Sequence, residues 1–183
     1  MVETLEHWKD FLTTLHFPAD PLLPFDSYFN AKIDLFTRFG RKGASKFCIV
    51  FEEYNSKLVE LWKKVDPYTD EELLLTIPGS TEEERKLYKT EITKLMKDCS
   101  ELYPGFVKNA KGISHLWRYS FEEIFDCWGV NSAELGACEA KKMTFNCLMA
   151  AYDRHCGNTD PPLQAYVCKR HFNFDNVEDC LVC

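Results

Sequence analysis

Seven of the nine cysteines in this 183-residue chain fall within its last 57 residues: Cys127, Cys138, Cys147, Cys156, Cys168, Cys180 and Cys183. The first five intervals hold ten, eight, eight, eleven and eleven residues, and a C-x-x-C follows. Thiols this crowded in a small fold either oxidise to disulfides or bind metal. Their density therefore constrains both the compartment and the kind of fold. Cys48 and Cys99 stand apart, on or beside apolar seams, and are expected to be buried free thiols.

The rest of the chain repeats with a helical period. Leu5, Trp8, Leu12 and Leu15 recur at three- and four-residue steps, which gives an amphipathic helix ending before Pro18. Pro18 to Pro24 is a connector. A second helix is expected from about Asp26 to Phe39, with Gly40 as its stop. Phe47, Phe51, Tyr54, Leu58, Leu61 and Val65 form a coiled-coil-like seam on a third. Thr69 and Glu72 open a short helix through Leu75, and Thr81 and Glu84 form a second capping box. That box opens a long helix with the seam Tyr88, Ile92, Leu95, Cys99 and Leu102, which Pro104 and Gly105 stop. Ile49 to Phe51 is β-prone, but the helical phase runs through it. The expected fold is all-α: long amphipathic helices followed by a disulfide-stapled helical hairpin. An N-terminal helical part spans residues 1–110, and a cysteine-rich helical module spans 111–183. The two parts can also pack as one body.

Composition removes some functions. The net charge of −7 argues against nucleic-acid binding, which needs a basic stripe to displace phosphate counterions. No run approaches eighteen apolar residues, so no transmembrane segment is expected. The basic cluster Arg38, Arg41, Lys42 and Lys46 is the local exception to the acidic balance. Its plain reading is a solvated loop; its functional one is contact with lipid headgroups or an acidic partner. Met1 to Phe17 carries Glu3, Glu6 and Asp10 without an apolar core or an arginine, unlike a secretory signal or a mitochondrial presequence. The expectation is either a mature form or import by internal features.

In the C-terminal module, Ser120 and Glu123 mark a helix that starts there or nearer His115 and ends near Gly129. Asn131 or Ser132 caps a longer one from about Ala133 to His155. Gly157, Asn158, Pro161 and Pro162 make a turn, and a last helix covers Leu163 to His171. Cys138, Cys147, Cys156 and Cys168, with Cys127 and Cys180 outside them, resemble the coiled-coil–helix–coiled-coil–helix (CHCH) family over Trp117 to Cys183. The resemblance implies two antiparallel helices joined by two disulfides. It also implies a protein of the mitochondrial intermembrane space, of the kind that serves as an accessory subunit or assembly factor of respiratory complexes. On a straight helix Cys138 and Cys147 point to nearly opposite sides, whereas Cys138 and Cys156 share a face. The turns themselves suggest a pairing: Cys127 with Cys138, Cys156 with Cys168, and Cys147 with Cys180 or Cys183. Six cysteines permit fifteen pairings in all.

Catalytic constellations are absent from the sequence. C-x-x-C at Cys180 and Cys183 lacks the βαβ setting of a redox motif. A zinc site from Cys156, Cys168, His155 and His171 has suitable ligands but no standard spacing. Asp153, Arg154 and His155 lie at a helix end, where His155 is expected to meet free carbonyls. Glu122 and Glu123 are adjacent and do not face one another across a site. There is no Glu-x-x-His, P-loop, G-x-S-x-G or G-x-G-x-x-G.

The expected function is therefore non-catalytic and needs no cofactor or metal. The chain is expected to be an accessory subunit of an inner-membrane complex such as ATP synthase or a respiratory-chain complex, facing the intermembrane space. Its partners are other subunits of that complex, with lipid headgroup contact as an additional surface. A secreted disulfide-rich helical binding protein, and a redox or zinc-dependent assembly factor, are the alternatives. Aromatic surface at Phe25, Phe29 and Phe36 is expected to remain for partners.

Overall fold

The computed structural model describes residues 2–18, 24–63, 77–79, 81–129 and 136–172. The helix expected through Leu75, the cap at Asn131 or Ser132, and Cys180 and Cys183 lie outside these residues. The described chain is all-helical, with seven helices and no strand. They are α1 (Val2–Thr14), α2 (Phe25–Lys63), α3 (Glu82–Asp98), α4 (Tyr103–Tyr119), α5 (Phe121–Trp128), α6 (Ala137–Cys156) and α7 (Pro161–His171). None is long and apolar enough to cross a membrane. The chain forms two compact units, one from Met1–Lys32 with Ser45–Cys99, the other from Ile33–Ala44 with Ser100–Cys183.

The first unit is built around Trp8. Its indole lies 5.0 to 5.4 Å, centroid to centroid, from Phe11, Tyr28, Tyr54 and Tyr88. The three tyrosines come from α2 and α3, so one ring ties α1 to both longer helices. Each large aromatic removes much apolar surface from water, and the tilted and edge-on geometries add to that. Phe47, Phe51, Tyr54 and Leu58 are buried as their spacing requires, and so are Tyr88, Ile92, Leu95 and Cys99. α3 begins as the sequence predicts: the Thr81 hydroxyl accepts from the Glu84 N–H at 3.1 Å. The acidic first turn is solvated, and Lys86 pairs with Glu82 one turn away. Cys48 and Cys99 are not free thiols. They form a disulfide with Cα atoms 5.2 Å apart. The two seams that bury them also bring them opposite each other, which burial alone does not reveal.

Gly40 breaks α2 as expected, with φ 52° and ψ −129°. Helix resumes at once, however, so Arg41 to Lys46 are helical rather than a loop, and Arg38, Arg41, Lys42 and Lys46 are all exposed.

The second unit corrects a larger expectation. Pro104 and Gly105 do not stop a helix; they start α4, which runs across the boundary expected between residues 110 and 111. Proline in the first turn gives up an N–H that has no intrahelical partner. Gly105 is small for a tertiary reason: a β-carbon there would meet the Pro162 carbonyl and the Tyr166 side chain of α7. Seven residues on, a β-carbon at Gly112 would lie 2.5 Å from the His155 carbonyl oxygen and 2.7 Å from Cys156 Sγ. The two glycines therefore let α4 seat closely against both arms of the α6–α7 hairpin. Phe106 adds packing, 5.5 Å from Phe36 and 6.0 Å from Tyr166. The hairpin turn has Gly157 in the left-handed region at φ 69°, and Asp160 caps α7 by accepting from the Leu163 N–H.

The expected cysteine pairing is overturned. Cys127 of α5 bonds to Cys147 of α6, with Cα atoms 5.5 Å apart, not to Cys138. Cys147 lies at the edge of the buried face made by Ala140, Thr144 and Ala151, while Cys138 points to the opposite side of the helix. Cys156 is a free thiol, so it does not clamp the hairpin with Cys168. Cys138 and Cys168 are each disulfide-bonded. The Cys127–Cys147 bridge thus joins α5 to the middle of α6, and the turn carries capping bonds from the Gly157 N–H to the Asp153 carbonyl and from the Leu163 N–H to Asp160.

Candidate functional site

An open cleft of about 400 Å³ lies in the second unit between α4, the last turn of α6 and the turn after it. Lys108, Lys111 and His115 enter from α4 at three- and four-residue steps, which places them on one helix face. Arg154, His155 and Cys156 enter from α6, and Asn158 from the turn. Gly112 forms part of the lining, where the absent side chain lets the helices approach.

The polar framework is well connected. Asn158 Nδ2 donates to Asn109 Oδ1 at 2.9 Å and to the Cys156 carbonyl at 3.2 Å. Buried Asn109 donates in turn to the Gly105 carbonyl. Lys108 pairs with Asp160 at the rim. Glu123 of α5 takes both Arg154 and His155. The hydrogen bond from Arg154, assisted by Ser120 and His155, holds the Glu123 carboxyl down at about 2. The Asp160 carboxyl is lowered by Lys108 and by the Leu163 N–H it caps. His115 Nδ1 and His155 Nδ1 face each other at 3.2 Å, one ring donating and the other accepting.

Cys156 is a poor nucleophile here. Burial, followed by the charges of Asp153 and Asp160, pushes its thiol up to about 12. The expected zinc ligands are not assembled: Cys168 is in a disulfide, and His171 Nε2 is hydrogen-bonded to the Tyr152 hydroxyl at 2.8 Å. Among the described residues no group of three His, Cys, Asp or Glu side chains is arranged to hold a metal ion. His155 meets Glu123 and His115 rather than helix-end carbonyls, because α4 and α5 both pack against that end of α6.

A second surface lies on α5 and its approach. Tyr119, Phe121, Phe125 and Trp128 are 64%, 38%, 62% and 47% exposed. Phe121 and Phe125 contact each other edge-on at 4.7 Å, and Trp117 flanks Phe121 at 4.9 Å. The expected aromatic surface at Phe25, Phe29 and Phe36 is not the prominent one: Phe36 is buried, and Phe25 and Phe29 are half-buried. Sequence reasoning missed the cleft because it stops one helix at Pro104 and Gly105 and starts the next near His115 or Ser120, which separates Lys108 and Lys111 from His115. Their three- and four-residue spacing was the available signal.

No family model matches this chain, and no curated protein or solved structure matches it either.

Proposed function

We propose that the chain is a non-catalytic accessory subunit of a mitochondrial inner-membrane complex, such as ATP synthase or a respiratory-chain complex, facing the intermembrane space. The observation that carries this reading is the exposed aromatic row of α5 on a helix cross-linked through Cys127 and Cys147. A short helix of eight residues does not hold three large aromatics toward water by its own propensity. The disulfide and the Glu123 pairings to α6 fix it there, and a contiguous aromatic surface of this kind suits a protein partner. Disulfides are rare in reducing compartments, which supports an oxidising one. The resemblance of the C-terminal cysteines to CHCH proteins favours the intermembrane space among such compartments. The cleft offers no activated nucleophile, since the one thiol that lines it is pushed upward.

The test is co-purification of the tagged full chain from gently solubilised mitochondria, together with the double variant F125A/W128A. The chain is expected in a particle many times its own mass, and the variant is expected to leave that particle while melting like the parent. Recovery of the chain only as a free species, or only from the culture medium, would sink the proposal. The second outcome would favour the secreted alternative.

A further inference from the structure

We propose that the cleft between α4 and the end of α6 is a binding site for a phosphate-bearing anion. The chain as a whole is acidic, at −7, yet none of the residues lining this cleft is a carboxylate. Lys108, Lys111 and Arg154 supply three permanent positive charges there. Asp160 and Glu123 stand at the rim, where they orient Lys108 and Arg154 through ion pairs and leave both cations at the cleft wall. Lys111 makes no ion pair with any described residue, so its ammonium is available to a ligand. Lys111 stands near the Gly40 break of α2, with its Cβ 3.8 Å from where a Gly40 β-carbon would stand.

The neutral polar groups of the cleft hold its shape. The Asn109 and Asn158 amides are locked to each other, which orients the floor before any ligand arrives. The His115 and His155 rings line the same wall, where His155 is held between His115 and Glu123. Two lysines and an arginine converging on one volume, over a floor whose amides are already satisfied, form a phosphate-recognising set. At about 400 Å³ the cleft is in the range of small-ligand sites and larger than a lone phosphate requires. The ligand class is therefore a phosphate mono- or diester carrying a further group, either a soluble phosphorylated metabolite or the headgroup of an acidic phospholipid.

The experiment is calorimetric titration of the oxidised full chain with inorganic pyrophosphate at fixed low ionic strength, because screening weakens such contacts. Three variants accompany it: K111E in the cleft, H115Q in the cleft, and K97A on exposed α3 as the control. The expected result is saturable one-site binding, weakened about tenfold or more by K111E and measurably by H115Q, but unchanged by K97A. Sedimentation with phosphatidylglycerol vesicles, against phosphatidylcholine vesicles, then separates the sources. Retention that K111E abolishes assigns a lipid headgroup; no retention, with pyrophosphate binding intact, assigns a soluble phosphate. Absence of pyrophosphate binding by a correctly oxidised chain overturns the proposal, and so does binding that K111E and K97A weaken equally.

Discussion

Lys32 and Glu91 form an ion pair inside the first unit, with their side chains only 7% and 6% exposed. They come from α2 and α3, and the Lys32 ammonium also stands 4.5 Å from the centre of the Phe29 ring. Two charges withdrawn this far from water are compensated mainly by each other. Their attraction roughly offsets their desolvation, so the pair adds little net stability while making each partner indispensable to the other.

Removing one member is therefore expected to cost far more than removing both. K32M or E91L alone leaves a buried charge without the counter-ion it has here and should destabilise the protein by about 3–5 kcal/mol. The double variant K32M/E91L should regain most of that loss. Urea unfolding of the four proteins forms the cycle; a double variant as unstable as the sum of the singles would refute the account.

The two identified disulfides close loops of different length, 51 residues for Cys48–Cys99 and 20 for Cys127–Cys147. Loop-closure entropy alone then favours the first, at about 4 kcal/mol against about 3 kcal/mol. Serine pairs at each bridge, melted under oxidising conditions, should both lower the midpoint, with the C48S/C99S protein falling further. The C127S/C147S protein should also lose the partner association assigned to α5.

The helices of the first unit were legible because their period is local: Phe47 to Leu58 and Tyr88 to Cys99 repeat at three and four residues, and tertiary packing follows that period. The pairings were not, because a disulfide depends on which faces meet across 20 or 51 residues of chain. Cys48 opposite Cys99 is a fact about two helices, and each seam taken alone describes only a buried position. α4 was missed for a related reason. Pro104 and Gly105 break a helix when they lie inside one, yet they suit a first turn that must approach α7 closely. With no helix expected between Gly105 and His115, the cationic face at Lys108, Lys111 and His115 had no continuous helix to stand on.

The close seating of α4 makes its glycines sensitive to one added methyl group. G112A puts a carbon 2.5 Å from the His155 carbonyl oxygen, against backbone that cannot swing aside. G105A meets the Pro162 carbonyl in the same way. Each is expected to cost about 1–3 kcal/mol as α4 is pushed off the hairpin. Gly136 has nothing within 4 Å of its would-be β-carbon, so G136A should change stability by less than about 0.5 kcal/mol. Chemical denaturation of the three variants checks the ordering.

Glu123 gives the second unit an acid-sensitive limb. Its carboxyl is lowered from 4.5 to about 2, first by the hydrogen bond from Arg154. A carboxylate depressed by folding contributes stability that is complete above its unfolded value and is lost as pH falls through the folded one. The window is thus from about 4.5 down to about 2. E123Q should flatten the fall in melting temperature across that window. It should not abolish the fall, because the Asp160 carboxyl is lowered as well. Equal acid sensitivity in E123Q and the parent would contradict the assignment.

Cys156 tests the corrected cysteine arrangement most directly. It stands beside Gly157 with its sulfur 4.0 Å from the Asn109 carbonyl oxygen, not in a bridge to Cys168. Burial and the nearby Asp153 and Asp160 push the thiol up to about 12, so little thiolate exists near neutral pH. In the native protein, iodoacetamide at about pH 8 should modify it more than tenfold more slowly than an unhindered cysteine, and unfolding should remove the difference. C156S should then melt within about 0.5 kcal/mol of the parent under oxidising conditions, since no covalent link is lost. Reductant should lower both proteins by the same amount, because the bridges it breaks are shared. A C156S protein that loses about 2–5 kcal/mol, and with it part of its response to reductant, would place Cys156 in a disulfide after all.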